Sequence, residues 1–298
     1  MAELGRTRTD LLEDFSVEMT GKDVAGLRDA HPLLPEGTRV HVTYLGNEDL
    51  RMRLEAARTA RQLGFRAVPH LSARRLSAPA ALREYLAGLA HDAHEADDAH
   101  DADVPGVREV FLIGGDPPTP QGPYPDALSV LRSGLLEQHG VRAVGIAGYP
   151  EGHPAIPDHA LWGALADKYL ELEARGLSGS ITTQFAFDAD AVLGWVRQVR
   201  EGGIDLPVRV GVPGPAGVRR LLGFAARFGV GTSASIARKY GLSLANLMGT
   251  AGPDRFMHTL AAAYDPALHG ELKVHFYTFG GLRASAEWIT RFQEEGRR

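Results

Sequence analysis

Polar residues at the ends of apolar, β-branched runs are where this sequence places groups able to move protons or hold a flat ligand. Glu18 lies in FSVEM, where Ser16 and Glu18 alternate with Phe15, Val17 and Met19. A strand there turns Glu18 to one face and the apolar side chains to the other. Burial favours the protonated form of a carboxyl group, which suits general-acid work, although a carboxylate paired with an interior Arg or Lys has the same pattern. Asp116 follows two glycines in LIGGDPPTP, where backbone can approach a ligand closely. Gly-Asp-Pro-Pro is equally ordinary turn chemistry. Gln184 closes the run ITTQ, and a buried amide there needs a partner, supplied by a heterocycle with amide edges or by neighbouring backbone. Thr43, His70, Tyr149, Glu151, His153, His275 and Tyr277 stand on, at the end of, or just past similar runs.

For these groups to act together their strands must converge at one end. Eight β-like runs, at 15–19, 39–44, 66–71, 109–113, 143–147, 179–185, 208–212 and 273–278, alternate with amphipathic segments. Those segments include 50–63, 80–90, 126–139, 158–175, 189–200 and 218–228. Strand and helix periods in strict alternation predict an α/β fold, a single (β/α)8 TIM barrel spanning 1–298, with catalytic groups at the C-terminal strand ends. A doubly wound sheet is disfavoured because FSVEMTGKD, not a glycine-rich dinucleotide turn, follows the first strand. Residues 229–271 exceed one crossover helix, which predicts extra short helices before the eighth strand.

Composition narrows the function. Of the 298 residues 44% are hydrophobic and 23% charged, with a net charge of −5, so a full core is expected and no pull toward nucleic acid or anionic lipid. The absence of cysteine removes disulfides, thiolate metal sites and cysteine nucleophiles. The first residues lack a signal-peptide core, and no apolar run reaches membrane-spanning length. A cytoplasmic protein, monomer or small homo-oligomer, is expected. Residues 91–106, HDAHEADDAHDADVPG, resemble a metal loop but lack fixed ligand spacing and read as a solvated acidic insertion. No metal is assigned.

The motifs AGYPEGHP at 147–154 and ITTQFAFDAD at 181–190 stand in order with VTYLGN at 42–47, PHLSAR at 69–74, GGD at 114–116 and VHFYTF at 274–279. Together they resemble the methylenetetrahydrofolate reductase family, whose (β/α)8 barrel reduces 5,10-methylenetetrahydrofolate to 5-methyltetrahydrofolate. The resemblance implies that Glu18 is the general acid, that Asp116, Gln184 and Tyr277 bind the pterin substrate, and that Thr43, His70, Tyr149 and His153 line the redox-cofactor side.

The departures bear on the cofactor. VEMTGKD stands at 17–23 where the family has a phenylalanine-rich FEFFPPK-like stretch. Two cations that the family sets against the FAD phosphates fall at Gly114 or Gly115 and at Leu172, and the arginine after the eighth strand falls at Gly281, with Arg283 two residues on. Losing charged partners costs a pyrophosphate roughly 1.5 to 3 kcal/mol each, unless Arg74, Arg75 and Lys168 replace them. The expectation is therefore a reductase taking hydride directly from NADH or NADPH, with FAD weakly bound or absent. The alternatives are a conventional FAD-dependent reductase and a pterin-binding barrel without turnover.

Overall fold

The computed structural model describes residues 11–91, 106–229, 236, 240 and 248–296. Eight parallel strands close into a barrel: β1 Ser16–Met19, β2 Arg39–Val42, β3 Arg66–Ser72, β4 Glu109–Ile113, β5 Ala143–Gly148, β6 Ser178–Thr183, β7 Val208–Pro213 and β8 Leu272–Tyr277. Each pairs with its neighbour in sequence, and Ser16 opposite His275 closes β8 onto β1. The expected barrel is therefore present.

Strand alternation decides what fills it. Val17, Val40, Val42, Val110, Leu112, Val210 and Val274 are buried on the outer face, against the helices. The opposite register points inward and is unusually polar. At the floor, Asp14 pairs with Arg39 and, at 2.7 Å, with Arg209, while Arg39 Nε reaches Glu109 at 3.0 Å. Burial works against the Asp14 charge, but hydrogen bonds and charge from Arg209 and Arg39 outweigh it and hold the carboxyl below its ordinary range. Above this ionic floor lie the imidazoles of His41, His70 and His275 with the ring of Phe111.

The surrounding helices are α1 Val24–Ala30, α2 Leu50–Gln62, α3 Pro79–His91, α4 Ala127–Leu131, α5 Leu135–Gln138, α6 Asp158–Arg175, α7 Ala189–Glu201, α8 Val218–Phe228, α9 Asp254–Ala263, α10 Pro266–His269 and α11 Leu282–Gly296. Asp49 caps α2 by accepting from Met52 N–H at 2.8 Å, and Asp188 caps α7 in the same way. The segment 126–139 is two helices instead of the one its periodicity suggested. Gly134 adopts a left-handed φ of 69°, and Ser133 Oγ accepts from Leu135 N–H at 3.3 Å, so the chain turns there.

The short helices expected before the eighth strand are α9 and α10. A feature the periodicity did not signal precedes them, an antiparallel pair joining Ala216–Gly217 to Thr250–Ala251. Residues 92–105, which hold most of the histidine- and acid-rich segment, lie outside the described residues. No described helix is long and apolar enough to cross a membrane.

Candidate active site

The C-terminal end of the barrel gathers part of the expected set around Glu18. Its Oε2 lies 3.8 Å from His275 Nε2 and 3.9 Å from His70 Nε2, and its side chain is 19% exposed. That leaves the carboxyl open to the mouth while two imidazoles back it. His275 is oriented from behind, with Nδ1 2.9 Å from Ser16 Oγ. His70 Nε2 is 3.2 Å from His41 Nδ1, so only one of that pair can hold the proton between them.

Burial sets the state of His70 and His41. It pushes His70 down to about 4, with Glu18 opposing and His275 adding to the effect. His41, enclosed by strands on all sides, is held well below the usual imidazole range by burial and then by the other histidines and the two floor arginines. Both are neutral at neutral pH, and both can donate or accept.

Beside them, Tyr277 donates its hydroxyl to the Thr183 carbonyl at 3.1 Å. Burial, then the neighbouring Glu18 and Tyr149, raise this phenol well above its ordinary value, so it stays a neutral donor. Gly211 makes the close approach possible, since a Cβ there would fall 2.4 Å from Thr183 O and 2.8 Å from the Tyr277 ring. Gln184 follows β6, with its side-chain oxygen accepting from Phe185 N–H at 3.1 Å and its own N–H bound to Gly148 O at 2.8 Å. The hydroxyls of Thr43 and Ser72, at the ends of β2 and β3, are buried without a hydrogen-bond partner among the described residues. Such groups are costly unless a ligand completes them.

The remaining expected residues sit around the rim. Asp116 is 69% exposed and is gripped through Oδ1 by Arg75, at 2.9 Å from Nε and 2.7 Å from Nη2. Tyr149 and His153 pack edge to face at 5.5 Å; burial raises the Tyr149 phenol and lowers the His153 imidazole. Glu151 joins this loop to the next by accepting from Phe187 and Asp188 N–H at 3.0 and 3.2 Å. His41 was not expected in the site. Its signal was available, since in RVHVTY it shares the inward register with Thr43 and alternates with Val40 and Val42.

The sequence matches the profile of methylenetetrahydrofolate reductase over residues 35–228. The chain belongs to the methylenetetrahydrofolate reductase family. Methylenetetrahydrofolate reductase 2 of Saccharomyces cerevisiae is 32% identical over 36% of this chain and 19% of its own length. The 5,10-methylenetetrahydrofolate reductase of Pectobacterium carotovorum is 29% identical over 62% of this chain and 57% of its own. These matches thus cover about a fifth and just over half of the relatives' lengths. Among solved structures, an uncharacterized protein from Clostridium thermocellum shares the fold at a TM-score of 0.59 and 10% identity, over 97% of this chain and 98% of that one.

Within this reductase family, a bound FAD would need cations for its pyrophosphate. Arg75 is committed to Asp116, and Arg74 is tied to the carbonyls of Pro125 at 2.9 Å and Pro117 at 3.2 Å. Lys168 is buried, and burial lowers its ammonium to about 8 against the pull of Asp126. Leu172 is fully enclosed in the core. This donor set does not fit a pyrophosphate. At the far side Arg283, the nearest arginine to the usual folate-tail anchor, is paired with Asp29 at 2.9 Å and Glu287 at 2.8 Å.

Proposed function

We propose that the protein reduces 5,10-methylenetetrahydrofolate to 5-methyltetrahydrofolate with hydride taken directly from NADH or NADPH. The observation that carries this reading is Glu18, partly open to the mouth of the barrel and backed by His70 and His275, in a chain of this family. Breaking the bond between the methylene carbon and N10 requires a proton on that nitrogen, and the iminium carbon left on N5 then accepts hydride. Glu18 supplies the proton. Tyr277 and Gln184 border the same opening, where the pterin edge meets polar groups, and Asp116, held by Arg75, stands at the rim. The Clostridium thermocellum neighbour is described as binding 5-methyl-5,6,7,8-tetrahydrofolic acid, the product of this reaction, which supports a folate in a barrel of this shape.

Direct transfer is the reading favoured for the hydride because the engaged arginines and the buried Lys168 offer few charged partners for a permanently bound FAD, whereas a donor that binds and leaves at each turnover needs no such tight hold. Two substrates must then occupy the mouth together, with donor and acceptor carbons roughly 3 to 3.5 Å apart. The protein purified without added FAD should be colourless and should oxidise NADH or NADPH only when methylenetetrahydrofolate is present. Rates over a grid of both substrates should give intersecting reciprocal plots. Glu18→Gln should lower turnover by roughly 10² to 10⁴. A variant within threefold of wild type would remove Glu18 from the mechanism, and a yellow protein with parallel plots would make it a conventional flavin enzyme.

A further inference from the structure

The connection between β7 and β8 does not follow the pattern of the others. It is α9 that packs beside α7 in the outer ring, whereas α8 lies along the rim of the mouth. Phe224 stacks on Phe279, just past β8, with centroids 4.0 Å apart and planes inclined by 13°. Phe228 meets Phe185, just past β6, edge to face at 5.5 Å, and a Cβ on Gly229 would fall 3.0 Å from Pro154 in the loop after β5. The Phe279 ring is itself 5.8 Å from that of Tyr277 and 5.1 Å from that of Phe185. The side of α8 that carries Phe224 and Phe228 therefore borders the opening given to the pterin.

This helix reads VRRLLGFAARF, with three arginines and no acid. Arg220, one turn before Phe224, is exposed, and its Nη1 donates to the Phe279 carbonyl at 2.8 Å. That single neutral bond, together with the ring stack below it, fixes the guanidinium over the loop after β8. Nε and Nη2, the side-on edge of the fork, have no partner among the described residues. Arg75 and Arg283 differ, since carboxylates already hold both.

We propose that Arg220 anchors the tail of the substrate. With the pterin at Gln184 and Tyr277, the p-aminobenzoyl unit runs outward past Phe279, and the α-carboxylate of the glutamate docks on Nε and Nη2 of Arg220. The inference rests on the reading that the substrate is a folate. A carboxylate pairs with such an edge through two parallel charge-assisted hydrogen bonds, a geometry that lysine cannot supply. The guanidinium is held before the ligand arrives, so little ordering is left to offset the gain. Arg219 and Arg227 on the same helix add positive potential that draws an anionic tail to this side of the mouth. The contact is remote from the methylene carbon and is made equally before and during the reaction, so it acts on binding and not on the chemical step.

Arg220→Gln should raise the KM for methylenetetrahydrofolate roughly 10- to 100-fold, with kcat and the KM for the nicotinamide donor unchanged. Methylenetetrahydropteroate, which lacks the glutamate, should be used equally well by both proteins. Equilibrium dialysis reads the same preference without turnover. Wild type should bind 5-methyltetrahydrofolate roughly tenfold or more tightly than 5-methyltetrahydropteroate, and Arg220→Gln should bind the two alike. Arg283→Gln should keep the wild-type preference. An unchanged folate KM in Arg220→Gln, an equal loss with the pteroate, or the loss appearing in Arg283→Gln instead would overturn the anchor. A preference for the folate that depends on Arg220, in a protein without reductase activity, would keep the anchor and reject the reductase reading. Reductase turnover indifferent to Arg220→Gln would do the reverse.

Discussion

Glu18 and His275 meet across the seam that closes the barrel, Oε2 to Nε2 at 3.8 Å, while the other nitrogen of the same ring lies 2.9 Å from Ser16 Oγ. Ser16 and His275 are also register partners of β1 and β8. The hydroxyl therefore fixes the ring that faces the acid. His275→Gln should lower kcat on the order of 10- to 100-fold with little change in the KM for folate, because the acid remains but is less well held. The limbs of the kcat pH profile should move as well. A uniform loss with an unmoved profile would mean that His275 only supports the fold.

Gln184 occupies the end of β6, beside the Thr183 carbonyl that Tyr277 holds. Gln184→Ala should raise the KM for methylenetetrahydrofolate while sparing stability, since the amide anchors only the next backbone N–H. The loss of one or two neutral hydrogen bonds corresponds to roughly 3- to 30-fold. Steady-state kinetics with unchanged folate KM would exclude Gln184 from the substrate site.

The buried imidazoles make stability depend on acid. His70 is lowered from 6.5 to about 4 by burial, and His41 is lowered well below 6.5. Between those values the unfolded chain binds more protons than the folded one, so stability is complete above about 6.5 and falls as the pH drops toward 4. His70 alone contributes a loss of about 3 kcal/mol over that window. Urea unfolding followed between pH 7 and about 4 should show this slope, and His41→Gln should flatten its part of it. Equal slopes in both proteins would refute the assignment.

The positions of the missing cations differ sharply in what they tolerate. Gly114 has open space around a Cβ, whereas Gly115 has a φ of 92° and a Cβ there would fall 2.2 Å from Ser72 Oγ. Leu172 is fully buried. Gly114→Arg should therefore keep the wild-type Tm and bind added FAD more tightly than wild type in an absorbance titration. Gly115→Arg should lose about 1–3 kcal/mol to backbone strain, and Leu172→Lys at least as much to a buried ammonium. A Gly115→Arg protein as stable as Gly114→Arg would contradict the loop geometry.

The alternation of strand and helix periods was legible along the chain, and with it the barrel, most strand limits and the inward face of Glu18. The motifs at 147–154 and 181–190, in order with the others, carried the family. These are local properties, since side-chain direction in a strand repeats every two residues wherever that strand ends up. Which inward residues meet is different. His41 and His70 are 29 residues apart and Ser16 and His275 are 259 apart, and their contacts exist because eight strands close with one common stagger and tilt. The same closure commits Arg75 to Asp116 and builds the ionic floor. No single segment carries that information, because stagger is a property of the whole ring of strands.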